Sequence, residues 1–304
     1  MLKKKRQKLS KMKKQEYILA YSMISITIIG LIILNIIPFI QTIYMSFSEN
    51  ATFGEWKFTG FSNYTKMFAD KTFWQATRNT ITFVLLTTPI GVVIALILAA
   101  FLNTKIKGKS FFRAIYFLPM VVAPTAVAMV WKWMFNSEYG VINTILGQFK
   151  MTSDIAWITN PSFILISCAI VAIWSSVGYD AILLLSGIQN ISNTYYEAAE
   201  IDGAASIKKF WYITVPLISP TLFFVIIMRV MASIKVFDLI YMMVEDTNPA
   251  INSARTLMGL FYRESFVKGN KGYASAIVVG TFLIIGIITF IQFIGQKKWV
   301  NYDA

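Results

Sequence analysis

Long apolar runs separated by short links rich in Lys and Arg set the pattern of this chain. A helix needs about 20 mostly apolar residues to cross roughly 30 Å of hydrocarbon. Six stretches meet that requirement: about Tyr17 to Phe47, Ile81 to Leu102, Ala114 to Val130, Phe163 to Leu185, Ile213 to Met243 and Tyr273 to Ile294. The first carries no charge at all. In hydrocarbon every backbone N–H and C=O must be paired within the protein, so spanning segments are helices or strands of a closed barrel. Barrel strands alternate apolar and polar positions over about ten residues, and that pattern is absent. The expectation is an all-α membrane protein with six transmembrane helices.

Composition agrees. Of 304 residues, 56% are hydrophobic and 14% charged, with a mean hydropathy of +0.60; soluble domains carry about 25% charged residues. The division expected is a basic tail over 1–16 and one transmembrane domain over 17–304, its core at 79–296. The tail resembles the start of a signal peptide, but its apolar run far exceeds the 7–15 residues of a signal core and no small-residue cleavage site closes it. It reads as a retained anchor.

The single Cys (Cys168) and the absence of His exclude an internal disulfide, a Cys/His zinc site, a Ser-His-Asp triad and a Cys-His dyad. No metal centre and no enzymatic activity are expected. The net charge of +13 is not a nucleic-acid signal, because the cations flank the apolar runs. Lys3, Lys4, Lys5, Arg6, Lys8, Lys11, Lys13 and Lys14 precede the first span; Lys105, Lys107, Lys109 and Arg113 follow the second; Lys208 and Lys209 follow the fourth; Lys297 and Lys298 follow the sixth. The opposite links are longer and carry fewer cations, so the positive-inside rule puts both termini in the cytoplasm. Trp74, Trp131, Trp133 and Trp299 stand near span ends, as interfacial anchors do.

The connection between the fourth and fifth spans reads SGIQNISNTYYEAAEIDGAASIKKFWYITVPLISP. Thr194 with Glu197 three residues later has the form of a capping box, predicting a helix from about Tyr195. Gly203 supplies the turn that ends it, and a second amphipathic stretch, Ala204 to Tyr212, leads to Pro216 and Pro220. The result is a helix–Gly–helix elbow projecting from the membrane, with small residues (Ala198, Ala199) allowing close approach; the alternative is an ordinary capped loop.

This segment resembles the EAA motif of ABC importer permeases, Glu-Ala-Ala-x3-Gly-x9-Ile-x-Leu-Pro. Glu197, Ala198, Ala199, Gly203, Ile213 and Pro216 stand at those spacings with Asp202 before the Gly, and Val215 replaces the usual Leu. FTGFSNYTKMFADKTFWQATRNT, FRAIYFLPMVVAP, FDLIYMM and TLMGLFYRESF extend the likeness to the sugar-uptake subfamily over most of the chain. The resemblance implies a type I importer permease fold with a cytoplasmic coupling-helix elbow at about 189–212, in a bacterial inner or plasma membrane. It implies a second homologous permease, ATP-binding cassette subunits and an extracytoplasmic sugar-binding protein as partners. Glu197 would make a polar contact with the ATPase, Ala198 and Ala199 would pack tightly, and Asp202 and Gly203 would form the bend.

No nucleotide site is expected in the chain itself. A phosphate-binding loop reads G-x4-G-K-[S/T]; at Gly108-Lys109-Ser110 the first glycine position holds Asn103, and no strand precedes it. ATP and Mg would be bound by the partner ATPase. The alternative reading is an ion-coupled secondary transporter, which needs intramembrane carboxylates. Within the spans stand Asp180, Arg229, Lys235 and Asp238; Asp180 is open to pairing with Arg229 or to a coupling role, whereas Lys235 and Asp238 lie near a span end. Polar intramembrane residues are candidates for a substrate pathway: Tyr179, Asp180, Arg229 and Ser233, the last one turn from Arg229 on the same face. The competing role for such residues is interhelical hydrogen bonding.

Overall fold

The computed structural model describes residues 11–50, 56–104, 108–149 and 154–302. Most of the basic tail, together with Lys105, Lys107 and Lys150, lies outside them. The apolar amino-terminal run forms α1 (Lys11–Leu31) and α2 (Ile37–Ser46). A π-turn over Ile32–Ile36 joins them, in which the Ile37 N–H reaches the Ile32 carbonyl. Pro38 explains the join, since it has no N–H for the carbonyl four residues back. A short antiparallel hairpin follows, β1 (Ser48–Asn50) on β2 (Trp56–Phe58), then α3 (Ser62–Ala69) and the long α4 (Lys71–Asn103).

The third expected span is not one straight helix. It is α5 (Lys109–Val121) and α6 (Pro124–Met134), bent 99° from each other. Val122 between them is extended and Ala123 is non-helical at ψ 132°; Ala123 precedes Pro124, and a residue before proline is pushed out of the helical region. α7 (Val141–Gln148) leads to α8 (Ile164–Gln189), the expected fourth span with its start and end displaced by a few residues.

The fifth span is likewise divided. α9 (Asn193–Ile201) and α10 (Ser206–Lys209) form the two limbs of the elbow, and a π-turn (Phe210–Thr214) carries the second limb into α11 (Val215–Leu217). The chain bends 70° at Ile218 before α12 (Ser219–Ile234); Pro216 and Pro220 lack the N–H groups that would continue one ladder. A break at Lys235–Phe237 separates α12 from α13 (Asp238–Met243), so the run from Ile213 to Met243 is three pieces. α14 (Ile251–Ala254), α15 (Leu257–Tyr262) and α16 (Lys271–Gln296) complete the chain. Among the described residues, four helical stretches are long and apolar enough to cross a membrane, the first being Met12–Ser46, and up to six if each bent pair is one span.

α4 and α8 pack against each other along the centre. Their elbow ends enclose Leu102, Leu184, Ile188 and Ile218; their opposite ends enclose Phe83, Phe135, Ile164 and Met243. A third cluster around Phe73, Leu260, Tyr273 and Ile277 fixes α15 and α16 to the start of α4. α1 stays outside this core, with Ile18 and Ile26 exposed, as suits a helix whose apolar surface is covered by lipid.

Candidate functional site

The elbow begins with a cap two residues earlier than the Thr194–Glu197 pattern suggested. Ser192 is the N-cap, and its hydroxyl accepts from the Thr194 N–H. Thr194 lies inside α9, its hydroxyl 2.9 Å from that of Ser192. Glu197 is thus not a capping residue, and its exposed carboxylate has no ion-pair partner among the described residues.

Gly203 ends α9 at φ +73°. The Gly203 N–H donates to the Glu200 carbonyl at 3.0 Å and the Ala204 N–H to the Ala199 carbonyl at 2.9 Å. These are the two bonds of a Schellman closure, and its left-handed residue is the glycine. An added Cβ at 203 would meet no atom within 4 Å; the requirement for glycine is one of backbone conformation, not of space.

Two side-chain contacts tie the limbs together. Lys209 Nζ is 2.7 Å from Glu200 Oε1, and the hydrogen bond to that ammonium holds the Glu200 carboxyl below its ordinary range. The Tyr196 hydroxyl lies 2.9 Å from Thr214 Oγ1. Phe210 and Val215 pack on the core between α4 and α8, so the elbow is joined to the bundle by bonded and packed groups. Ala199 is half-buried, while Ala198 and Asp202 are exposed. Around them Ile201 is 88% exposed and Ile207 75%. Tyr195, Trp211 and Tyr212 add exposed aromatic surface.

A second set of polar groups lies inside the bundle. Arg229 on α12 and Asp180 on α8 are both buried, with Nε 3.0 Å from Oδ2. The guanidinium also donates to Ser176 Oγ, and Gly91 on α4 faces it so closely that a methyl group there would collide with the guanidinium. One turn on, Ser233 Oγ lies 2.8 Å from Thr87 Oγ1, which in turn donates to the Phe83 carbonyl. Arg229 Nε and Nη2 and Asp180 Oδ2 make no hydrogen bond among the described residues, and Nη2 is the atom that lies against Gly91. Burying this charge requires the pairing it has.

Asp180, Arg229 and Ser233 are thus brought into one layer. Tyr179 is not: it is 37% exposed on another face of α8. Ser176, Gly91 and Thr87 were missed. Ser176 and Asp180 are four residues apart and share a helix face, a signal present in the sequence. Gly91 and Thr87 carried none, because their role depends on which helix lies opposite.

Residues 71–299 match the family model described as the binding-protein-dependent transport system inner membrane component. The chain is 30% identical over 293 residues to the probable ABC transporter permease protein YesP of Bacillus subtilis, covering 96% of this chain and 94% of that protein. It is 31% identical over 283 residues to the trehalose/maltose transport system permease protein MalF of Thermococcus litoralis, covering 93% and 95%. A solved bacterial ABC transporter that imports the acidic polysaccharide alginate has a chain of the same fold, at TM-score 0.83 and 23% identity over 95% of this chain and 98% of that one.

Proposed function

Because this chain belongs to the family of binding-protein-dependent transport system inner membrane components, we propose that it imports a sugar or oligosaccharide, driven by a separate ATPase acting on the elbow. It is a multi-pass permease with the type I ABC importer fold. The sugar assignment draws on the relatives named for lactose, trehalose/maltose and arabinooligosaccharides.

The observation that carries the coupling role is the braced elbow. A rigid projection with exposed apolar and aromatic residues is suited to seat in a groove of another protein, and its cross-links suit it to move as one body. Glu197 offers a free carboxylate to that partner, Ala198 and Ala199 permit close approach, and Asp202 and Gly203 complete the turn. Closure of ATPase subunits holding ATP and Mg would push the elbow and re-tilt α8 and α12, a rigid-body switch. The elbow then lies in the cytoplasm with both termini. A second homologous permease completes the channel, and an extracytoplasmic binding protein delivers the sugar.

Arg229, Asp180 and Ser233 form the polar layer that the sugar meets inside the bundle. Their burial inside the bundle supports this, since polar intramembrane residues are candidates for a substrate pathway. The ion-coupled alternative is weakened by the same geometry, because its candidate carboxylate, Asp180, is already neutralised by Arg229. Purification of the tagged protein in mild detergent tests the proposal. A second permease and an ATPase should accompany it, and sugar with its binding protein should stimulate ATP hydrolysis after reconstitution. A lone oligomer responding to an ion gradient would contradict it.

A further inference from the structure

A cavity of about 280 Å³ opens at the end of the bundle opposite the elbow. Three segments distant in sequence build it: the end of α6 with the turn after it, the loop before α8, and the loop after α13. Its walls are fixed by internal bonds. Trp157 Nε1 donates to Asn143 Oδ1 at 2.7 Å, and the buried Phe135 ring lies 5.5 Å from the Trp157 ring. Asn248 joins two of the loops, donating to the Ile158 carbonyl and accepting from the Ala250 N–H. The cavity is therefore preformed, and its volume is near the lower end of the roughly 300–1,000 Å³ of small-molecule sites.

Its chemistry narrows the ligand. Lys132 and Glu245 stand in the lining and pair with each other, so the charges cancel and give no bait for an anion or a cation. No group of three His, Cys, Asp or Glu residues that could hold a metal exists among the described residues. Asn136 uses its oxygen to accept from the Glu138 and Tyr139 N–H groups, which leaves its two amide hydrogens free. The Ser137 and Thr159 hydroxyls are exposed and make no hydrogen bond among the described residues. An aromatic wall beside uncharged donors and acceptors matches a ring with apolar C–H faces and a rim of hydroxyls.

We infer that this cavity is a second saccharide subsite, separate from the Arg229 layer, in which one sugar unit rests against Trp157 and hydrogen-bonds to Asn136, Ser137 and Thr159. The inference rests on the sugar-import reading, under which this end faces the exterior. It gives the incoming sugar a holding place before the bundle opens.

Site-directed labelling tests it in membranes carrying the whole transporter without its binding protein. Cys168 is buried, and a Cys168→Ser background leaves Ser137→Cys or Thr159→Cys as the sole thiol, with Lys57→Cys as a control at the same end of the bundle. Alkylation by a membrane-impermeant maleimide is timed with and without a panel of glucose, galactose and arabinose mono- to trisaccharides, whose uptake is measured in cells with the binding protein. A transported sugar at ten times its Kd should slow labelling at both cavity positions about tenfold and leave Lys57→Cys unchanged. Uptake of a panel sugar without slowing at either position overturns the subsite and leaves the import reading standing. Uptake of no sugar in the panel overturns that reading and the subsite with it. Slowing that appears only in a parallel sample to which the binding protein is added back, with or without sugar, marks a protein-docking face and also overturns the subsite.

Discussion

Arg229 Nε lies 3.0 Å from Asp180 Oδ2 with both side chains buried between α8 and α12. Removing one member of such a pair leaves an uncompensated charge and costs about 3–5 kcal/mol, whereas replacing both by apolar groups is often close to neutral. Asp180→Leu and Arg229→Met should each lower the yield and melting temperature of detergent-solubilised protein, and the double variant should recover most of both. Sugar uptake should stay lost in all three. A double variant that is stable and transports normally would reduce the pair to structural glue.

Gly91 faces the same guanidinium, so Gly91→Ala forces Arg229 to move. Overpacking of this kind costs about 1–3 kcal/mol. Coupled sites are non-additive, and combining Gly91→Ala with Arg229→Met should cost less than the sum of the single effects in thermal denaturation. Simple additivity would mean that the glycine serves another contact.

Acid should weaken the opposite end of the bundle through Asp70. It caps α4 by accepting from the Thr72 N–H at 2.8 Å and accepts from the Tyr273 hydroxyl at 2.7 Å. Burial pushes its carboxyl up, but these hydrogen bonds and the charge of Lys268 together hold it below the ordinary carboxylate value of 3.8. A depressed value contributes stability that is fully present above the unfolded pKa and lost as pH falls through the folded one. Melting temperatures should therefore show an acid-limb loss below about pH 4 that is smaller in Asp70→Asn. At neutral pH Asp70→Ala, which removes the cap, should cost about 1 kcal/mol, whereas asparagine keeps an oxygen for the Thr72 N–H.

The elbow makes a prediction of another kind. Gly203 sits at φ +73° in open space, so valine is opposed by the backbone alone, while asparagine tolerates the left-handed region. Gly203→Val should insert at normal levels yet lose uptake, and Gly203→Asn should retain a substantial part of it. Full uptake by the valine variant at normal expression would contradict a fixed bend.

What could be read from the chain followed from the scale of each signal. Apolar runs about as long as the bilayer is thick marked the crossings, and Glu197, Ala198, Ala199 and Gly203 marked the elbow. The bends were less visible, although Pro124, Pro216 and Pro220 were in plain sight, because hydropathy averages over a window and does not register a missing N–H. The cap fell on Ser192 and not Thr194 because two hydroxyl residues two positions apart can both cap a helix, and the backbone entry decides between them. Gly91 opposite Arg229, and the cavity shared by Trp157, Asn136 and Glu245, depend on helices meeting across long sequence separations. No local pattern encodes that.

Transmission of force through the elbow is most directly tested by a photo-crosslinking amino acid at Glu197 or Ile201 in membranes that are actively taking up sugar. An ATP-hydrolysing subunit should be captured at these positions, with a yield that changes between ATP and nucleotide-free conditions. Capture of no such subunit, in membranes where uptake proceeds normally, would contradict it.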